Sequence, residues 1–260
     1  MKFLGESIVK HNERCQPNRL APNESIYLAG ARNDPMSVTK IFSGGVSKSD
    51  ELFSTHEEAD TRMLLHAIHA DKVFAESGVK GRIIIKSPDT DVLVLCVHYF
   101  SKLQHTQEFG FQTGTVASTK DRRRYIPVHE ICSTISPVFT NILPAAHAVT
   151  GCDTTSLLFG IGKWSVFKVL KENSDNFKDL SNLADCYVDV SVTAARRLVI
   201  KLYDSRGKIK AEDENLNKLR TRLATVKSAC LAKLPPCEAT FKQHVLRASL
   251  QTYVWYRAIL

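Results

Sequence analysis

The chain has 260 residues, 35 Lys+Arg against 27 Asp+Glu for a formal net charge of +8, and is 43% hydrophobic and 24% charged. That balance is globular and excludes a chain too polar or too charged to build a core. The longest stretch without Asp, Glu, Lys or Arg, the 22 residues from Ile131 to Cys152, is interrupted by Pro137, Asn141, Pro144 and His147, which excludes a bilayer helix there. The segment Met1 to His11 contains Glu6 and lacks a long apolar run, so it is not read as a signal peptide. Seven scattered cysteines without a CxxC pair argue against a zinc ribbon or a disulfide framework and fit reduced, intracellular thiols.

Charge is unevenly spread. Residues 1–195 hold 21 basic and 22 acidic side chains, net −1, whereas residues 196–233 hold 11 basic and 4 acidic, net +7. A polyanion partner is therefore expected to meet the last quarter of the chain.

In chain order, short strands are expected at Ser25–Ala29 and near Val38–Phe42. A helix begins near Glu57, where Thr55 and Glu58 have the spacing of a capping box, and it ends at Gly78. Arg82–Lys86 (RIIIK) reads as a short, fully buried strand stopped by Ser87-Pro88, and Val92–Phe100 as a helix returning across the sheet. Strands follow at Phe109–Thr119 and Tyr125–Val128 around the basic turn Lys120–Arg124. Helices are expected at 128–135 and 137–149, then a glycine-punctuated segment Gly151–Lys163. Further helices are expected at 164–172, 176–184, 191–203, 212–233 and 237–258.

Three acidic groups carry the chemistry. Glu57, Glu58 and Asp60 open a helix; Asp89 and Asp91 follow the C-terminal end of a strand, where open α/β sheets place their sites; Asp153 stands in the turn Gly151-Cys152-Asp153. Such a gathering of carboxylates repels itself unless a cation offsets it, and Mg²⁺ or Mn²⁺ takes oxygen ligands. Each group also has a plainer use: Glu58 as a capping-box partner, Asp60 against the helix dipole, Asp89 and Asp91 in a turn, Asp153 as a helix cap. His147, one turn before Asp153, borders the site. His66 and His69, three apart on one helix, are a weaker metal pair, and Cys152 reads as a small buried residue.

The order EEAD, strand–SPDTDVL, helix–GCDTTSLLFGIGK resembles the nuclease core of the flap endonuclease / XPG family within the PIN-like superfamily, over residues 50–172. The chain is also similar to a group of animal proteins of unassigned function that carry THEEADTR and SPDTDVLVL. The flap-endonuclease resemblance implies an α/β fold, with a PIN-like three-layer core around a parallel sheet that is incomplete at the N-terminus. A helix–two-turn–helix and an all-helical extension would follow. The corresponding division is a partial segment at 1–50, a nuclease core at 51–185 and a basic helical extension at 186–260.

The resemblance further implies Mg²⁺ or Mn²⁺ held by Glu58, Asp60, Asp89, Asp91 and Asp153. Asp89, Asp91 and Asp153 would be catalytic and Glu57 auxiliary. Gly160, Ile161, Gly162 and Lys163 would grip a phosphate backbone, with K⁺ at that turn, and Arg122, Arg123 and Arg124 would add phosphate contacts. The expected partner is structured or branched DNA, with RNA as the second choice and no membrane, and the expected location is nuclear rather than cytoplasmic. Two functional expectations stand side by side: a metal-dependent, structure-specific nuclease, or a catalytically dead nuclease fold that binds nucleic acid or protein.

Overall fold

A computed structural model describes residues 20–30, 34–55, 58–117, 120–185, 188–204, 215–225 and 230–258. The first strands, β1 (Ser25–Ala29), β2 (Val38–Phe42) and β3 (Gly45–Lys48), form an antiparallel meander in the order β1-β2-β3. The first two keep the expected bounds. The third was unexpected, because GVSK carries little strand signal and is held by pairing with β2.

Helix α1 (Ala59–Glu76) buries Leu64 and Ala67 and ends at Ser77, after which Gly78 takes the left-handed conformation that commonly closes a helix. The capping box is not formed. Glu58 is itself the cap residue and makes no side-chain cap bond, its carboxylate being engaged elsewhere.

The main sheet has the order β4-β5-β8. Strand β4 (Gly81–Lys86) runs parallel to β5 (Thr106–Thr113) across the connecting helix α2 (Thr90–Tyr99), and β8 (Arg124–Pro127) returns antiparallel to β5. A two-residue hairpin, β6 (Val116–Ala117) and β7 (Lys120–Asp121), fills the β5–β8 connection. The sheet is thus α/β and mixed. Full burial of RIIIK is corrected: Ile83 and Ile85 face the core, but Ile84, on the opposite face of the pleat, is 48% exposed.

Helices α3 (Val128–Ser133) and α4 (Pro137–Val149) follow. Ser136 Oγ accepts the Phe139 amide and Pro137 occupies the first turn, two local signals that make the start of α4 legible. Pro144 inside α4 has no N–H to offer the Thr140 carbonyl four residues back. That carbonyl accepts instead from His98 Nδ1 of α2 at 3.0 Å, so the proline is accommodated by a neighbouring helix.

The remaining elements are α5 (Lys163–Asn173), a 3-10 run at Ser174–Asn182 where an α-helix was expected, α6 (Val188–Tyr203), α7 (Leu216–Ala224) and α8 (Glu238–Tyr256). Of the helix expected over 212–233, the described residues show α7, closed by Thr225, and a 3-10 turn at Leu231–Lys233. One apolar cluster of described residues runs from Leu64 to Ala258. Tyr99 donates to the Trp255 carbonyl at 2.7 Å, His244 Nε2 to the Val149 carbonyl at 2.7 Å, and Ser249 to the Leu183 carbonyl at 2.6 Å. Among the described residues no helix is long and apolar enough to cross a membrane.

Candidate metal centre

Where β4 stops, Ser87 keeps one more sheet bond, from its amide to the Gln112 carbonyl, and the chain turns into α2. Ser87 Oγ accepts the Asp89 amide at 3.1 Å, and Asp89 Oδ1 accepts the Asp91 amide at 2.9 Å, so Asp89 is the N-cap of α2. Asp91 lies in the first turn and is buried. Asp60 occupies the equivalent first turn of α1. Two helix N-termini, each favourable to negative charge, thereby converge. The ligand atoms of Asp60, Asp89 and Asp91 all lie within 4.8 Å of one another. Burial, followed by the charges of Asp89, Asp91, Glu58 and Asp153, pushes the Asp60 carboxyl up to about 6.

His147, in the last turn of α4, reaches Asp91 Oδ1 through Nε2 at 2.7 Å, with both side chains buried. An ionised carboxylate can only accept, so Nε2 carries the proton of that bond. The sequence left His147 as a neighbour of the site; the structure makes it the group that orients one of its carboxylates.

Glu58 and Asp153 stand at the rim. Both act electrostatically on Asp60, but neither belongs to the closely spaced group of three. The Glu58 carboxylate accepts from Gln251 Nε2 at 3.1 and 3.3 Å, and Gln251 Oε1 accepts from Thr154 at 2.8 Å. This relay ties the start of α1 and the loop after Asp153 to α8. No local sequence pattern marks Gln251, which is 193 residues from Glu58. Asp153 is exposed in a loop shaped by Gly151, whose φ of 110° is followed by the Cys152–Thr155 bridge. Glu57 lies outside the described residues.

The Gly160–Gly162 turn leads into α5 with Gly160 at φ 78° and Gly162 as the N-cap. Lys163 does not extend outward from it as expected. Its ammonium donates to the His147 carbonyl at 2.9 Å, to Thr150 Oγ1 at 3.1 Å and to the Gly151 carbonyl, compensating the C-terminal end of α4. Burial lowers this lysine to about 8, although Cys152 and Asp91 act to raise it.

Arg124 opens β8 opposite Thr113, and Gln112 pairs with Lys86, so Arg124 lies at the same end of the sheet as Asp89. Two strand spacings, about 10 Å, separate β4 from β8. Arg122 and Arg123 are exposed, and Arg123 is held by a bidentate pairing with Asp121.

At least four of the eleven basic residues in the segment 196–233 have partners within the fold. Arg196 pairs with Glu238, which also accepts the Leu216 amide; Arg197 pairs with Asp179 and Arg222 with Asp204, while Arg220 donates to the Pro235 carbonyl. Arg206, Lys208, Lys210 and Lys227 lie outside the described residues. On α1, His69 meets Glu51 at 3.2 Å and Tyr27 at 3.4 Å, and His66 packs edge-on against the same tyrosine, which gives that pair a structural use.

Three oxygen-donating carboxylates at this spacing match the preference of a hard divalent cation, and their mutual repulsion is what such a cation relieves. Loading the centre would release a proton from Asp60 near its raised value of about 6. No protein-family model, curated protein or solved structure matches the chain.

Proposed function

We propose that the chain is a PIN-like, flap-endonuclease-type domain that hydrolyses phosphodiester bonds in DNA with Mg²⁺ or Mn²⁺. The observation that carries this reading is the convergence of Asp60, Asp89 and Asp91 from two helix N-termini. A cation bound there supplies charge for the scissile phosphate and lowers the pKa of a water. Asp60, Asp89 and Asp91 hold it. His147 keeps Asp91 in one rotamer by donating to Oδ1, and Gln251 holds Glu58 at the rim. Asp153, exposed beside the group, is the carboxylate available to orient an attacking water and accept its proton. Arg124, at the same sheet end, adds positive charge for a phosphate backbone.

The reading is tested by incubating purified chain with Mn²⁺ and branched, flap or single-stranded DNA. Cleavage that disappears in Asp89→Ala and Asp91→Asn supports it; cleavage that persists in both overturns it.

A second reading is a nuclease fold that binds nucleic acid without cutting it. It draws on a tight group of three carboxylates rather than five, Glu58 being engaged by Gln251 and Asp153 standing at the rim. Salt-sensitive DNA binding, without cleavage in Mn²⁺ and unchanged in Asp89→Ala, would favour it.

A further inference from the structure

The turn after Asp153 carries more exposed apolar surface than packing requires. Leu157 is 73% exposed, Phe159 56% and Trp164 75%. Trp164 is nevertheless rigidly backed: its ring stacks on Phe167 at 5.6 Å and 13°, and Phe167 meets the buried Phe139 edge-on at 5.2 Å. Lys168 and Lys171 follow at i+4 and i+7, so they share the Trp164 face of α5, and Lys171 lies 5.9 Å from the Phe167 ring. The residue before Trp164 is Lys163, whose ammonium donates to the His147 carbonyl and so ties the start of α5 to the end of α4.

We infer that Trp164 is a stacking platform for an unpaired base of a nucleic-acid strand whose phosphates run along Lys168 and Lys171. An indole backed by a second ring offers one flat, pre-ordered face, as stacking requires, and stacking tolerates any base. The two lysines supply the complementary charge for a polyanion, which an apolar protein partner would not need. The choice of partner rests on the phosphodiesterase reading, but the platform acts in binding and needs no chemistry at the carboxylates.

Trp164 and the buried Trp255 are the two tryptophans of the sequence, so quenchable emission reports on Trp164. The chain is titrated in EDTA with an oligothymidylate of about 20 nucleotides, which spans a typical single-strand site. Binding is followed in parallel by the anisotropy of a label on the oligonucleotide. The expected result is quenching that tracks the anisotropy. Trp164→Ala should weaken affinity roughly 5- to 100-fold, the worth of one stacked base, and Trp164→Phe should restore most of it. Lys168→Gln and Lys171→Gln should each reduce the salt slope by about 0.7. No binding, binding with unchanged emission, or Trp164→Ala binding as tightly as the parent would overturn the platform. So would Trp164-dependent self-association, by sedimentation, that the oligonucleotide does not compete. Failure of cleavage in Mn²⁺ alongside normal quenching would count against the phosphodiesterase alone.

Discussion

His147 Nε2 donates to Asp91 Oδ1 across 2.7 Å at the junction of α4 and α2, and both side chains are buried. A buried carboxylate with one fixed oxygen presents its other oxygen in a defined direction, as a ligand must. Removing the donor leaves Asp91 both less oriented and less satisfied. His147→Ala is therefore expected to weaken Mn²⁺ affinity roughly 10- to 100-fold, the usual effect of losing an outer partner of a ligand. It should also cost about 1–3 kcal/mol of stability. Titration calorimetry and urea denaturation measure the two effects separately.

Asp60 gives the protein a distinctive pH dependence. Its carboxyl is raised from 3.8 to about 6 in the fold, so the native state binds a proton that the unfolded chain has already lost between those values. Stability then falls as pH rises through that window. In EDTA the Asp60 contribution should make the chain melt higher near pH 5 than near pH 7, and Asp60→Asn should flatten that difference. Saturating Mn²⁺ should reverse the trend, because the cation binds the ionised form. An unchanged profile in Asp60→Asn would contradict this assignment.

Much of the centre was legible because its parts are local signals. Asp89 follows a strand and caps a helix, Asp60 sits in the first turn of another, and the run of Ile83 and Ile85 implies a strand that brings Asp89 to the sheet end. Gln251 was not legible, since a glutamine in the middle of α8 acquires its role only when that helix packs against α1 and the Asp153 loop. Glu58 misled for the same reason: its spacing from Thr55 suits a capping box, but a tertiary partner takes the carboxylate. In the basic segment 196–233 no local pattern marks which residues pair inside the fold, because Arg196 finds Glu238 and Arg222 finds Asp204 only through packing. Lys163 shows how far this goes, because its charge closes α4 rather than facing outward.

Gly151 is a position where side-chain volume would displace the site loop. At φ 110° an L residue is strained, and a Cβ would sit 2.7 Å from Leu157 Cα. Gly151→Ala should cost about 2–4 kcal/mol and displace Asp153, whereas Gly160→Ala, with open space around it, should cost about 1 kcal/mol from its positive φ alone. Equal losses in urea denaturation would contradict the difference in packing.

Asp71 is a buried acid with a different task. It accepts the Gln104 amide at 3.0 Å, the His105 amide at 2.9 Å and the Thr106 hydroxyl at 2.6 Å, anchoring the start of β5 to α1. Asp71→Ala should cost about 3–5 kcal/mol while leaving metal affinity in the remaining folded protein unchanged. A loss of Mn²⁺ binding at full folding would show that this acid belongs to the centre instead.

The convergence of Asp60, Asp89 and Asp91 is tested most directly by counting Mn²⁺ bound per chain, by paramagnetic resonance of the free ion, in the parent and in Asp89→Asn. The parent is expected to take up Mn²⁺ at a saturable site that Asp89→Asn loses while keeping its fold by circular dichroism. A parent that takes up no Mn²⁺, or an Asp89→Asn variant that binds it equally well, would contradict the metal centre.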